Sequence, residues 1–141
     1  MIEKSEPKKK LNVRAKGHSY ERLIANELSV KYNQKILTNR YNSKALDDRG
    51  IDLSTKDFQY QLKCTGKCVN YQKLITDIQA KNKDEKIILL SKITHKGEYA
   101  IMKKELFYEL LDMVIEMSQN KAITEDFEVN DVMISEKDFK S

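Results

Sequence analysis

Polarity alternates strictly along Phe58-Gln59-Tyr60-Gln61-Leu62-Lys63-Cys64, the period-two signature of a half-buried strand. Phe58, Tyr60, Leu62 and Cys64 share one face of that strand, and Gln59, Gln61 and Lys63 share the other. Gly50-Ile51-Asp52-Leu53 reads as a second short strand, with Asp52 projecting opposite to Ile51 and Leu53. The intervening segment is short enough for the two to pair as a hairpin. A carboxylate, an amide oxygen and an ammonium group would then converge on one surface. The same pattern suits a solvent-exposed hairpin face on which Lys63 merely snorkels, so alternation alone leaves the choice open.

Elsewhere the period changes to that of helices. Tyr20, Leu23, Ile24, Leu28 and Tyr32 predict a helix from Gly17 to about Tyr32, with Ser19 able to cap it. Lys35-Ile36-Leu37-Thr38 reads as a first strand. Asn39 to Gly50 reads as a polar loop whose terminal glycine lets the chain turn. A second helix is predicted from Lys67 to about Lys81, with Tyr71, Leu74, Ile75 and Ile78 on one side. Lys86 to Leu90 is a nearly continuous apolar run, as expected of a strand covered on both faces. Glu98 to Met102 would pair with it across the His95-Lys96-Gly97 turn. Lys103 to about Asn120 is the clearest helix, with Leu106, Phe107, Leu110, Leu111, Val114 and Met117 on one stripe. The order is helix, three strands, helix, one or two strands, helix. It predicts an α/β fold with a mixed central sheet flanked by helices.

At 141 residues the chain is long enough for one ordinary core. With 40% hydrophobic and 34% charged residues it reads as a soluble protein with a heavily charged surface. No apolar run approaches the ~20 residues needed to span a bilayer, and residues 1–7 lack a signal-peptide core, so a cytoplasmic location is expected. Cys64 and Cys68 provide two zinc ligands at most, with His18 and His95 remote in sequence; a structural zinc site is therefore excluded. Net charge is +4, and its distribution is asymmetric. From Lys4 to Lys16 the chain carries Lys4, Lys8, Lys9, Lys10, Arg14 and Lys16 against Glu6 alone, whereas residues 121–141 carry Glu125, Asp126, Glu128, Asp131, Glu136 and Asp138. The expected organisation is a flexible basic arm over 1–16, a domain over 17–120 and an acidic extension over 121–141. Such a charge division occurs in nucleic-acid-binding chains and equally in chains with solvated ends.

The first helix carries two candidate acids. Glu21 falls beside Leu28 and Tyr32 on the inward stripe, where a carboxylate needs a cation or metal partner. Glu27, between Leu23 and Tyr20, is equally anomalous.

Taken together, Gly17-His18-Ser19-Tyr20-Glu21-Arg22, Gly50-Ile51-Asp52-Leu53 and Gln61-Leu62-Lys63 resemble the PD-(D/E)xK nuclease superfamily over about residues 14–102. The resemblance implies a restriction-endonuclease-like αβββαβ core. The Lys-Gly-x-x-x-Glu-Arg start of the helix, with Ser43 upstream of Asp52, is similar to archaeal-type and phage Holliday-junction resolvases. The Gly-Ile-Asp-Leu strand with Gln61 is similar to Mrr-type restriction endonucleases. A single small domain favours the resolvase branch.

That resemblance implies a metal-dependent DNA endonuclease acting on branched DNA, as a homodimer suited to the two symmetric cleavage sites of a four-way junction. Glu21, Asp52 and the side-chain oxygen of Gln61 would hold Mg²⁺ or Mn²⁺, ions that favour hard oxygen ligands. Lys63 would complete the catalytic set by positioning the attacking water or stabilising the phosphate. Lys8, Lys9, Lys10, Arg14 and Lys16 would track the DNA backbone, and Ser43 and Lys44 would contact phosphates. Gln61 departs from the acidic residue common in the superfamily and removes one negative charge from the site. An Mrr-like enzyme acting on duplex DNA and a non-cleaving DNA-binding module are the alternatives.

Overall fold

The computed structural model describes residues 13–38 and 44–138, with side chains described for 14–38 and 45–126. The chain divides into two compact units, Met1–Met102 and Lys103–Ser141. In the first unit, helix α1 (Val13–Tyr32) is followed by a short helix α2 (Lys44–Asp48) and strands β1 (Leu53–Ser54) and β2 (Gln59–Thr65). Helix α3 (Tyr71–Lys81) and strands β3 (Ile87–Ile93) and β4 (Gly97–Ile101) complete it. The second unit is one long helix, α4 (Lys104–Asp138).

The four strands form a single mixed sheet in the order β1-β2-β3-β4. β1 and β2 are antiparallel, β2 and β3 parallel, and β3 and β4 antiparallel. The parallel pair requires a crossover, which α3 supplies. The sheet flanked by helices is the α/β architecture expected of the chain.

Register explains the core. Tyr60 pairs with Ile88 and Leu62 with Leu90, so these four share a face, and α1 covers it with Tyr20 and Ile24. Gln61 pairs with Leu89 on the opposite face. β3 is buried on both sides, with Ile87, Ile88 and Leu89 all in the core, as its unbroken apolar run requires. β4 follows through a turn in which His95 adopts φ 63° and Gly97 φ 144°.

Several boundaries differ from the sequence expectation. α1 starts at Val13 rather than Gly17. Arg14, Ala15 and Lys16 are good helix formers, and a single interior glycine costs only about 1 kcal/mol. Arg14 and Lys16 therefore stand on a helix rather than in an arm, and Ser19 is an interior residue rather than a cap. On the helix, Leu23 lies on the side of Tyr20 away from Ile24 and Ala25, and it is exposed.

Lys35–Thr38 forms no strand. β1 offers only two residues to a neighbour, and Ser29 ties the segment to α1 instead, its Oγ accepting from the Ile36 N–H at 2.9 Å. α3 begins at Tyr71 because the Asn70 side chain caps it, accepting from the Lys73 N–H at 3.2 Å. α4 runs beyond Asn120 to Asp138.

The polar loop before β1 hides the helix α2. Its end is a Schellman closure: the Ile51 N–H donates to the Leu46 carbonyl and the Gly50 N–H to that of Asp47, both at 3.0 Å. Gly50 sits at φ 74°, the left-handed conformation this closure demands. The turn sends Ile51 and Leu53 into the core, fully buried, and leaves Asp52 on the other side.

Candidate functional site

Beside the edge of β2 lies a cleft of about 300 Å³. Arg14, Gly17, His18 and Glu21 of α1 form one wall, and Asp52, Gln61 and Lys63 contribute from the β1–β2 side. Residues 14, 17, 18 and 21 fall on one stripe of α1 because neighbours on a helix surface are three and four apart. The wall is open at Gly17, where a Cβ would meet nothing within 4 Å.

Asp52 is anchored through the sheet itself. Its backbone N–H donates to the Tyr60 carbonyl at 2.8 Å, and its Oδ2 accepts from the Leu62 N–H, also at 2.8 Å. The carboxylate thus takes the position on the β2 edge that a longer β1 would fill. Gln61, next along β2, carries Oε1 close to Gly50, 4.0 Å from where a Cβ would stand.

The electrostatics are unfavourable to an isolated charge. Burial pushes the Asp52 carboxyl up to about 6. The Leu62 N–H and the Lys63 ammonium oppose that rise, whereas Glu21 and Asp47 add to it. A half-buried carboxylate facing a second carboxylate is a site short of positive charge. His18 stands by Glu21 with Nδ1 3.6 Å from Oε2. That nitrogen is buried and makes no hydrogen bond.

Glu21, Asp52, Gln61, Lys63 and Arg14 are therefore brought together. Glu27 is resolved from Glu21: it borders a separate groove with Tyr20, Ile24, Tyr60 and Glu98, away from Asp52. Lys16 bonds Thr94 Oγ1 just beyond β3. Lys8, Lys9, Lys10 and Ser43 lie outside the described residues, as does the side chain of Lys44 at the start of α2. His18 was missed by sequence reasoning; its place three residues before Glu21 was the available signal.

Among the described residues no three His, Cys, Asp or Glu side chains form a compact metal-holding group. With Gln61 in the third position, the donors would be two carboxylates and an amide oxygen. These fit a hard divalent ion: they are oxygen donors, and the raised Asp52 carboxyl marks a charge deficit that a cation would relieve. Among the described residues no helix is long and apolar enough to cross a membrane. Searches against protein-family models, curated proteins and solved structures found no match.

Proposed function

We propose that this chain is a metal-dependent DNA endonuclease that hydrolyses phosphodiester bonds at branched DNA. The convergence of Glu21, Asp52, Gln61 and Lys63 on one cleft carries this reading. Glu21, Asp52 and the Gln61 amide oxygen hold Mg²⁺ or Mn²⁺. The bound ion would supply an acidified water and charge neutralisation at the phosphate. Lys63 offers a point charge to the anionic phosphate within the cleft. Arg14, one turn of α1 before His18, offers a guanidinium to the adjoining phosphate. The Leu62 N–H holds one Asp52 oxygen in place, so the carboxylate is oriented before substrate arrives.

Assembly as a homodimer matches two cuts across a junction. On α4, Phe107, Val114 and Met117 fall on one stripe and are exposed, and such an apolar stripe supports association with a second copy. A non-cleaving DNA-binding module is the competing reading, favoured by the neutral Gln61 and by the lack of a three-acid cluster among the described residues.

Incubation with labelled four-way junction and linear duplex, in Mg²⁺, Mn²⁺ or EDTA, separates these cases. Metal-dependent paired nicks on the junction alone are expected. Cutting of linear duplex would point to the Mrr-like enzyme, and binding without cleavage under any metal overturns the nuclease reading. Asp52→Ala and Lys63→Ala should abolish cutting while DNA binding remains, which excludes a contaminant.

A further inference from the structure

A buried imidazole nitrogen normally finds a hydrogen-bond partner, because leaving it without one costs desolvation energy. His18 Nδ1 has none. Its nearest described acid, Glu21 Oε2, is 3.6 Å away, too far for a hydrogen bond. The spacing is close to that of two donors on a common cation: with bonds of ~2.1 Å, neighbouring ligands stand roughly 3 to 3.5 Å apart. His18 and Glu21 are one turn apart on α1 and border the same cleft as Asp52 and Gln61.

The geometry points to His18 Nδ1 as a nitrogen ligand of the metal centre, beside Glu21, Asp52 and Gln61, selecting a transition ion such as Mn²⁺ over Mg²⁺. This rests on reading the cleft as a metal centre. The chemistry follows from the donor set. Two carboxylates and an amide oxygen suit Mg²⁺ and Mn²⁺ alike, both being hard ions that keep several waters. Imidazole bonds more strongly to first-row transition ions than to Mg²⁺, so His18 tips a set that suits both toward the transition ion. Binding requires side-chain movement, since the acids and His18 do not already form a compact group. The rival account is an ion pair between protonated His18 and Glu21, in which a metal would have to displace the imidazole.

The test uses the full chain with DNA absent. Mn²⁺ binding is followed by the loss of the free-ion electron paramagnetic resonance signal, and Mg²⁺ by competition. Wild type should bind Mn²⁺ at least about tenfold more tightly than Mg²⁺. His18→Ala should lose about tenfold or more in Mn²⁺ affinity with little change for Mg²⁺. Pulsed spectra of the Mn²⁺ complex should show coupling to a directly bound ¹⁴N nucleus in wild type and not in the variant. His18→Gln, which keeps a polar side chain of similar reach, is a second variant should alanine disturb the helix, with circular dichroism checking the fold of both. Equal Mn²⁺ affinity in wild type and both variants, or no nitrogen coupling, overturns the His18 assignment alone. Tighter Mn²⁺ binding by His18→Ala identifies the ion pair instead. No binding of either ion by wild type overturns the metal centre as well.

Discussion

Replacing Asp52 with asparagine should make the metal-free protein more stable. The folded carboxyl titrates near 6 against an ordinary value of 3.8, chiefly through burial. At ~1.36 kcal/mol per pKa unit, holding it ionised in the fold costs about 3 kcal/mol. The sign follows from proton binding. The folded state retains the proton to higher pH than the unfolded state, so this group costs nothing below about pH 4. The cost grows as pH rises toward 6 and stands in full above it. Asparagine keeps an oxygen for the Leu62 N–H but carries no charge. Urea unfolding in EDTA should therefore show Asp52→Asn ahead of wild type by up to about 3 kcal/mol at pH 8, or roughly 10 °C in Tm for a chain of this size. The advantage should vanish near pH 4. Mn²⁺ at 100 times its Kd should then raise wild type by about 2.7 kcal/mol at pH 8 and leave the variant unmoved. A variant no more stable than wild type at pH 8, or a gap constant between pH 4 and 8, would refute the view that Asp52 is held at a cost for a cation.

Gln61→Glu returns the missing charge, so metal affinity measured by calorimetry should tighten about tenfold or more; unchanged affinity would mean that Gln61 does not face the ion. Asn82 is buried at the end of α3, with Nδ2 donating to the carbonyls of Ile78 at 2.8 Å and Arg49 at 3.1 Å. Asn82→Ala should cost about 2 to 3 kcal/mol in urea unfolding and also weaken metal binding, because Arg49 precedes the Gly50 turn that presents Asp52. Stability loss with unchanged metal affinity would separate that turn from the site. Val114→Glu with Met117→Glu puts charge on the exposed apolar surface of α4. Sedimentation should then show a dimer replaced by monomer, and a persisting dimer would remove α4 from the interface.

The facing of the motif residues was legible because its information is local, although β1 proves to be Leu53–Ser54 alone, with Asp52 in a bend just before it rather than within a strand over Gly50–Leu53. Period-two alternation assigns Gln61 and Lys63 to one face, and Ile51 and Leu53 on either side of Asp52 assign it to the surface opposite the core. β3 was legible for the same reason, as an apolar run too continuous for a half-exposed strand. Tertiary competition hid the rest. Ser29 holds the Ile36 N–H, which removes the apparent strand at Lys35–Thr38. α2 escaped notice because five residues, Lys44–Asp48, are too few to display a helical period. The wheel could not separate Glu21 from Glu27, since both border the apolar stripe; only the position of the β2 edge decides which acid meets Asp52. The spacing of His18 from Glu21 was in the sequence, but what gives it weight, a buried Nδ1 without a hydrogen bond, is visible only in the fold.

The hydrogen bond from the Leu62 N–H to Asp52 also bears on how the chain folds. A two-residue strand is too short to resist slippage by its own ladder, and a slip of one position would turn every side chain of β1 to the wrong face. The carboxylate adds a pairing point available in only one alignment. A slipped β1 would forfeit that bond, so the alignment of the strand and the placing of the Asp52 carboxylate in the cleft are secured by the same atom pair.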